Sequence, residues 1–316
     1  TGHETESEFA NQAISYFRQQ GEIRISRNEI SNVVYGVCGF ENMAPVYVEE
    51  NLVLNYGLQL GDGGAYYNAH DSFPVPKYVR KNIAINGTGD PDTYYNHMGM
   101  IHAYYHDYDC RNFTVDSNSA YYTNKALQSN KASNCKFRYN NIYRTGQLMN
   151  NDWRYSFYQD NHIGVTYFNH NEIKHNQIVL DDLENQYVYA PHDLFDKREN
   201  DYDYNTIIAP FSDREDWFRK VSYWTPGETF DLESWADYIG HESHSKLVKE
   251  IKYNSGMGIS KDDFVKFLYN FSENDKYQPL DGKYRDKDGN IYEGQVLVPA
   301  YYSVILFYDG ESDMTN

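Results

Sequence analysis

The chain has 316 residues, enough for one large domain or two ordinary ones, and 40% of it is hydrophobic, with 33 tyrosines carrying much of that surface. A net charge of −18 leaves no basic stripe to neutralise phosphates. That excludes nucleic acid and an anionic membrane surface as partners, and it disfavours a polyanionic substrate unless a local basic cluster overrides it.

Cys38, Cys110 and Cys135 lack metal-ligand spacing, and their odd number cannot all pair within one chain, so no disulfide framework is expected. No apolar run is long enough to insert in a membrane. The opening TGHETESEFANQ reads as the middle of a longer protein, which leaves room for a missing N-terminal domain or subunit.

From residue 28 onward, short β-branched runs are bracketed by asparagine: RNEISN at Asn28, ENLVLN at Asn51, KNIAIN at Asn82, RNFTVDSN at Asn112, NNIYRT at Asn141 and HNEIKHN at Asn171. These asparagines lie 23, 31, 30, 29 and 30 residues apart, a period that predicts a repeat architecture. Each unit has one alternating strand followed by a polar loop, with no amphipathic helix between Asn28 and Asn176 to build a βαβ wheel. The predicted fold is all-β: a right-handed parallel β-helix of coils of about 30 residues, over residues 1–184. Equivalent asparagines then hydrogen-bond between neighbouring coils. A propeller or sandwich is the alternative, but it wants hairpin turns that only INGTG partly supplies.

Residues 185–316 read differently, as an irregular, partly helical C-terminal cap packed on the helix end. Within it, ISKDDFVKFLYNFSEND predicts a helix with Ser260 as N-cap, and the segment from Leu280 to Asp309 predicts turns and strands. DKDGNIYE has its glycine at the wrong place for a calcium loop and predicts a hairpin turn. GHESHS is no H-E-x-x-H zinc motif, because its histidines are three apart.

The phrases ISRNEISNVVYGV, VEENLVLNYGLQLGDGGAYYN and MIHAYYHDYDCRNFTVDSN, with the later ESWADYIGHESHS, resemble a group of β-helical glycoside hydrolases. The nearest families are the lacto-N-biosidase family and the α-fucosidase/xylanase β-helix family. In that group an N-x-I coil is followed by DGGAIY and then by an aspartate-rich IYxDD coil. The resemblance implies a glycosidase that is extracellular or on a bacterial-type cell surface, with an oligosaccharide or glycan as substrate and no cofactor. Here Tyr108 separates the aspartates of the second coil, which leaves open whether Asp107 or Asp109 inherits the role.

Glycoside hydrolysis needs one carboxylic acid to protonate the leaving oxygen and a second carboxylate as nucleophile or base. Asp62, Asp107 and Asp109 are the catalytic candidates, since coils stacked about 5 Å apart can bring distant residues together. For Asp62 the competing account is an Asp-Gly turn that caps its own backbone. For Asp107 and Asp109 it is a loop of solvated acids. Tyr66, His70, Asp71, Tyr105, His106 and Asp116 are the substrate-binding candidates, although the place of Asp116 within a strand favours an outward ladder residue. His102 and His106 have no third ligand, so no metal is expected. A polysaccharide lyase or epimerase on the same fold would draw its cations from Lys77, Arg80 and Lys81. A non-catalytic glycan-binding adhesin is the third reading.

Overall fold

The computed structural model describes residues 12–58, 62–87, 100–146, 154–160, 170–181, 183, 186–191, 200–219 and 227–310; within strands, the side chains of residues 62, 100, 154, 155, 157–160, 190 and 191 are outside the description. The protein is mostly β, and among the described residues three of four sheets are parallel except for one short end strand.

Successive strands go to each parallel sheet in turn. Sheet A holds β1 (Gln12–Phe17), β4 (Tyr35–Phe40), β7 (Asp62–Ala69), β10 (Met100–His106), β13 (Lys125–Asn130), β16 (Arg154–Asp160), β19 (Gln186–Pro191) and β22 (Phe218–Arg219), with β23 (Thr229–Phe230) antiparallel at its end. Sheet B holds β2 (Ile23–Ser26), β5 (Val46–Glu49), β8 (Lys77–Arg80), β11 (Phe113–Asp116), β14 (Lys136–Arg138), β17 (Glu172–Lys174) and β20 (Asp201–Asp203). Sheet C holds β3 (Glu29–Val33), β6 (Leu52–Tyr56), β9 (Ile83–Gly87), β12 (Ser119–Thr123), β15 (Asn141–Thr145), β18 (Gln177–Val179), β21 (Thr206–Ile208) and β24 (Lys246–Val248). Because β20, β21 and β24 extend sheets begun near the N-terminus, the expected boundary at 184/185 cuts through the sheets.

The bend from sheet B to sheet C explains the asparagines. Arg27, Glu50, Lys81, Ser117, Tyr139, His175 and Tyr204 all have left-handed φ between 54° and 62°, and each precedes a buried or half-buried asparagine. Those asparagines are Asn28, Asn51, Asn82, Asn118, Asn140, Asn176 and Asn205. Each of the first six donates from its backbone N–H and its Nδ2 to the Oδ1 of the next, at 2.8–3.1 Å. A side-chain amide thereby satisfies backbone groups that a bend would orphan. The ladder uses Asn118, Asn140 and Asn176, where the sequence period points to Asn112, Asn141 and Asn171. Asn171 belongs to a separate corner and bonds to Asn200.

Between the sheets lies an apolar core. Sheet B contributes one inward row, Ile25, Val48, Val79, Val115, Phe137, Ile173 and Tyr202. Its outward row alternates charge, Glu49, Arg80, Asp116, Arg138, so cross-strand pairs offset one another. Outside the bend, Tyr139, His175, Tyr204 and His244 form a stacked column with centroids 4.6–4.9 Å apart.

Helix α1 (Leu232–Ile239) is capped by Asp231, which accepts from Ser234 N, and it buries Trp235 and Ile239 against the end of the core. The predicted helix after Ser260 lasts one turn, α2 (Lys261–Phe264), and Ser260 does cap it. The chain then becomes β25 (Val265–Asn270), because pairing with β28 (Tyr302–Gly310) provides a ladder that outweighs a weak helical pattern. With β26 (Lys276–Arg285) and β27 (Ile291–Val298) these strands form an antiparallel sheet D, and Asp286–Asn290 closes the hairpin between them. Sheet D docks on sheet C: Phe267 stacks on Tyr121 at 4.7 Å, and Ser303 meets Ser119 Oγ at 2.7 Å and accepts from Asn141 Nδ2 at 2.8 Å.

Candidate functional site

Sheet A bends away from simple alternation, and this decides which side chains reach its outer face. Ala65 and Tyr66 both enter the core in succession, as do Ala103 and Tyr104, and Ala126 and Leu127. The residues that follow, Tyr67, Tyr105 and Gln128, are aligned across the sheet on the outer side. There Tyr67 packs with Tyr35, Cys38 and Phe40 in an apolar cluster separate from the core. Tyr105 sits edge-on to Tyr67 at 5.1 Å.

The DGG turn is built for packing. Gly63 has φ 144°, open to glycine alone, and an added Cβ would lie 2.7 Å from the ring of Tyr35. Asp62 opens β7 opposite Met100; its side chain lies outside the described residues. Asp107 follows His106, which is aligned with Asn68 near the other end of the same pair of strands. Asp107 lies seven positions along the chain from Met100, roughly 20 Å of strand. The register therefore does not bring Asp62 and Asp107 onto one bond.

Asp107 is the best-organised acid on this face. The Tyr67 hydroxyl donates to its Oδ2 at 2.8 Å, Asn130 Nδ2 donates to its Oδ1 at 2.7 Å, and the Tyr108 N–H donates to Oδ1 at 2.8 Å. Its own N–H donates to the Asn68 carbonyl at 2.7 Å, which fixes the backbone beneath it. The carboxylate is half-buried and reachable, and no cation pairs with it among the described residues. Asp109, left-handed at φ 58°, turns aside and takes two hydrogen bonds from Arg111, at 2.9 and 3.0 Å. His70 is exposed beside the ring of Tyr108, 5.1 Å between centroids.

The other candidates lie elsewhere. Tyr66 is a core residue, not a sugar platform: it stacks on Tyr104 at 5.0 Å and donates to the Asn51 carbonyl at 3.0 Å. His106 is buried against Phe113 and Phe137, and burial, with a lesser push from Lys77, drives its imidazole down to about 3, so it is a neutral core residue. His102 faces the other way, against Tyr105. Asp71 is fully buried, 3.0 Å from Lys77 Nζ, and accepts from Asn42 N and Nδ2 at 3.1 and 2.8 Å. That is a structural ion pair at the corner between sheets A and B. Asp116 sits on the outer row of sheet B, held by Arg138 and Ser117. Tyr105 is on the right face but 2% exposed.

Two of the three cations a lyase would draw on are engaged, Lys77 as above and Arg80 with Glu49. No group of three or more His, Cys, Asp or Glu among the described residues is placed to hold a metal ion. No helix among them is long and apolar enough to cross a membrane.

Tyr67 and Asn130 are the partners that sequence reasoning missed. Asn130 lies 23 residues after Asp107, the same interval as Asn28 to Asn51, which is the signal that could have found it. Asp160 is aligned with Asn130 on the next strand, so Asp107, Asn130 and Asp160 form one row.

No family model, curated protein or solved structure matches the chain.

Proposed function

We propose that the three parallel sheets are the faces of a right-handed parallel β-helix, and that the outer face of sheet A carries a glycoside hydrolase site centred on Asp107. The strand order supports the first part, since every third strand returns to the same sheet in register. One observation carries the second: a reachable carboxylate fixed by three donors beside an aromatic cluster. Fixed donors orient a carboxylate lone pair for attack on water or on a sugar carbon, so Asp107 takes the base or nucleophile role.

The row position two strands along belongs to Asp160. Strands about 4.8 Å apart separate the two backbones by roughly 10 Å. Asn130 lies between them in the row, so the two aspartates flank one short stretch of the face from either side. Asp62, at the far end of the face, then serves an outlying subsite or the turn itself.

The test is turnover of aryl glycosides and natural oligosaccharides by single variants. Asp107→Asn is expected to lose activity by about a hundredfold or more, the ordinary worth of a positioned base. Asp160→Asn is expected to lose a comparable factor, and Asp62→Asn much less. Full turnover by Asp107→Asn would sink the proposal.

A further inference from the structure

Next to Asp107 stands a cation with no counter-ion among the described residues. Lys131 follows Asn130 at the end of β13, in left-handed conformation at φ 52°. It is 3% exposed, and its ammonium lies 3.6 Å from the ring centroid of Tyr108. It makes no hydrogen bond or ion pair among the described residues. A charge withdrawn this far from water is costly unless something pairs with it, and an aromatic face offsets only part of that cost.

Two described acids of this corner already have partners, and the side chain of Asp160 lies outside the description. Glu41 is held by Arg18, and Asp109 by Arg111. Asp107 takes neutral donors only, from Tyr67, Asn130 and a backbone N–H. The ring of Tyr108, 41% exposed, and the exposed His70 open this corner to solvent. Among the described residues the site thus holds a carboxylate without a cation beside a cation without a carboxylate.

We propose that the substrate carries an anionic sugar group, a carboxylate or a sulfate ester, which docks on Lys131 beside Tyr108 and His70. The inference rests on the reading of Asp107 as the catalytic centre, and it narrows the substrate to acidic oligosaccharides. With a net charge of −18, the protein at large repels such a ligand, so recognition has to come from this local contact.

The experiment measures binding by the full chain bearing Asp107→Asn, so that turnover does not enter. The probes are uronate-containing, sialylated, sulfated and neutral oligosaccharides. One acidic class is expected to bind, with affinity falling as salt is added, and the class that binds separates carboxylate from sulfate. Adding Lys131→Met should cost about tenfold or more, the worth of a charge-assisted contact, and Lys131→Arg should keep most of the affinity. If Lys131→Met fails to fold, the salt dependence of the parent decides, and salt-independent binding overturns the proposal. Preference for neutral sugars, binding of no probe, or undiminished binding by Lys131→Met also overturns it. If an acidic glycan binds through Lys131 but the unsubstituted protein hydrolyses none, the hydrolase reading falls and the anion site stands.

Discussion

Replacing Asn118 with alanine tests the bend directly. The side chain is fully buried and makes four hydrogen bonds. Its Nδ2 donates to the Val79 carbonyl at 2.8 Å and to Asn140 Oδ1 at 3.1 Å, and its Oδ1 accepts from Asn82 N at 3.0 Å and Asn82 Nδ2 at 3.1 Å. Truncation leaves the Asn82 N–H and the Val79 carbonyl buried without these partners, at about 1–3 kcal/mol each. Together with the small cavity, the expected loss is about 3–5 kcal/mol. Asn28, the first rung among the described residues, offers an internal control: it is half-buried, its side-chain oxygen receives no bond from a described rung, and Asn28→Ala should cost about 1 kcal/mol. The assay is urea unfolding followed by circular dichroism, where the midpoint should fall for Asn118→Ala with the slope unchanged. If both variants lost the same small amount, the row would be ornamental and the argument for it would fail.

Two further outcomes follow from buried charge. Lys77→Met leaves Asp71 buried without its cation and should destabilise by about 3–5 kcal/mol, whereas pairing it with Asp71→Asn should recover part of the loss in a double-variant cycle. Glu242, 2% exposed in the turn before β24, has its carboxyl pushed up to about 7, chiefly by burial. Its unfolded value is about 4.3, so the native state holds a proton that the unfolded chain releases, and stability falls as pH rises from about 4.3 to 7. Glu242→Gln should remove that slope and be the more stable protein at pH 8, by about 3–4 kcal/mol in thermal or urea melts; equal stability there would refute the assignment.

The strands and the recurring bend were legible in the sequence because one residue type, asparagine, marks the position after each left-handed residue of the bend from sheet B to sheet C. The rungs after Asn82 were not, because the ladder intervals run from 22 to 36 residues as loops at the other corners absorb the difference. The left-handed residues are Arg, Glu, Lys, Ser, Tyr and His, so they carry no compositional mark. Inside and outside were also hidden. Tyr66 and Tyr67 read alike, as do Tyr104 and Tyr105, but two successive inward residues put the first of each pair in the core and the second on the outer face. The aspartate pair was misjudged for the same reason: the register places Asp62 and Asp107 at opposite ends of adjacent strands, and nothing local to either residue records that offset.

The asparagine row has a direction. From Asn28 to Asn176 each Nδ2 points to the rung that follows, and from Asn51 to Asn205 each Oδ1 points to the rung before, so the carboxamide dipoles add head to tail, as they do in a helix. No single amide can flip without opposing both neighbours, and the whole row is therefore one cooperative switchless wire with unlike ends. At its finish the Asn205 N–H donates to the Ser245 hydroxyl at 2.8 Å, an acceptor that requires no further rung. The polarity makes the fold extensible one whole rung at a time, and the serine is its terminator.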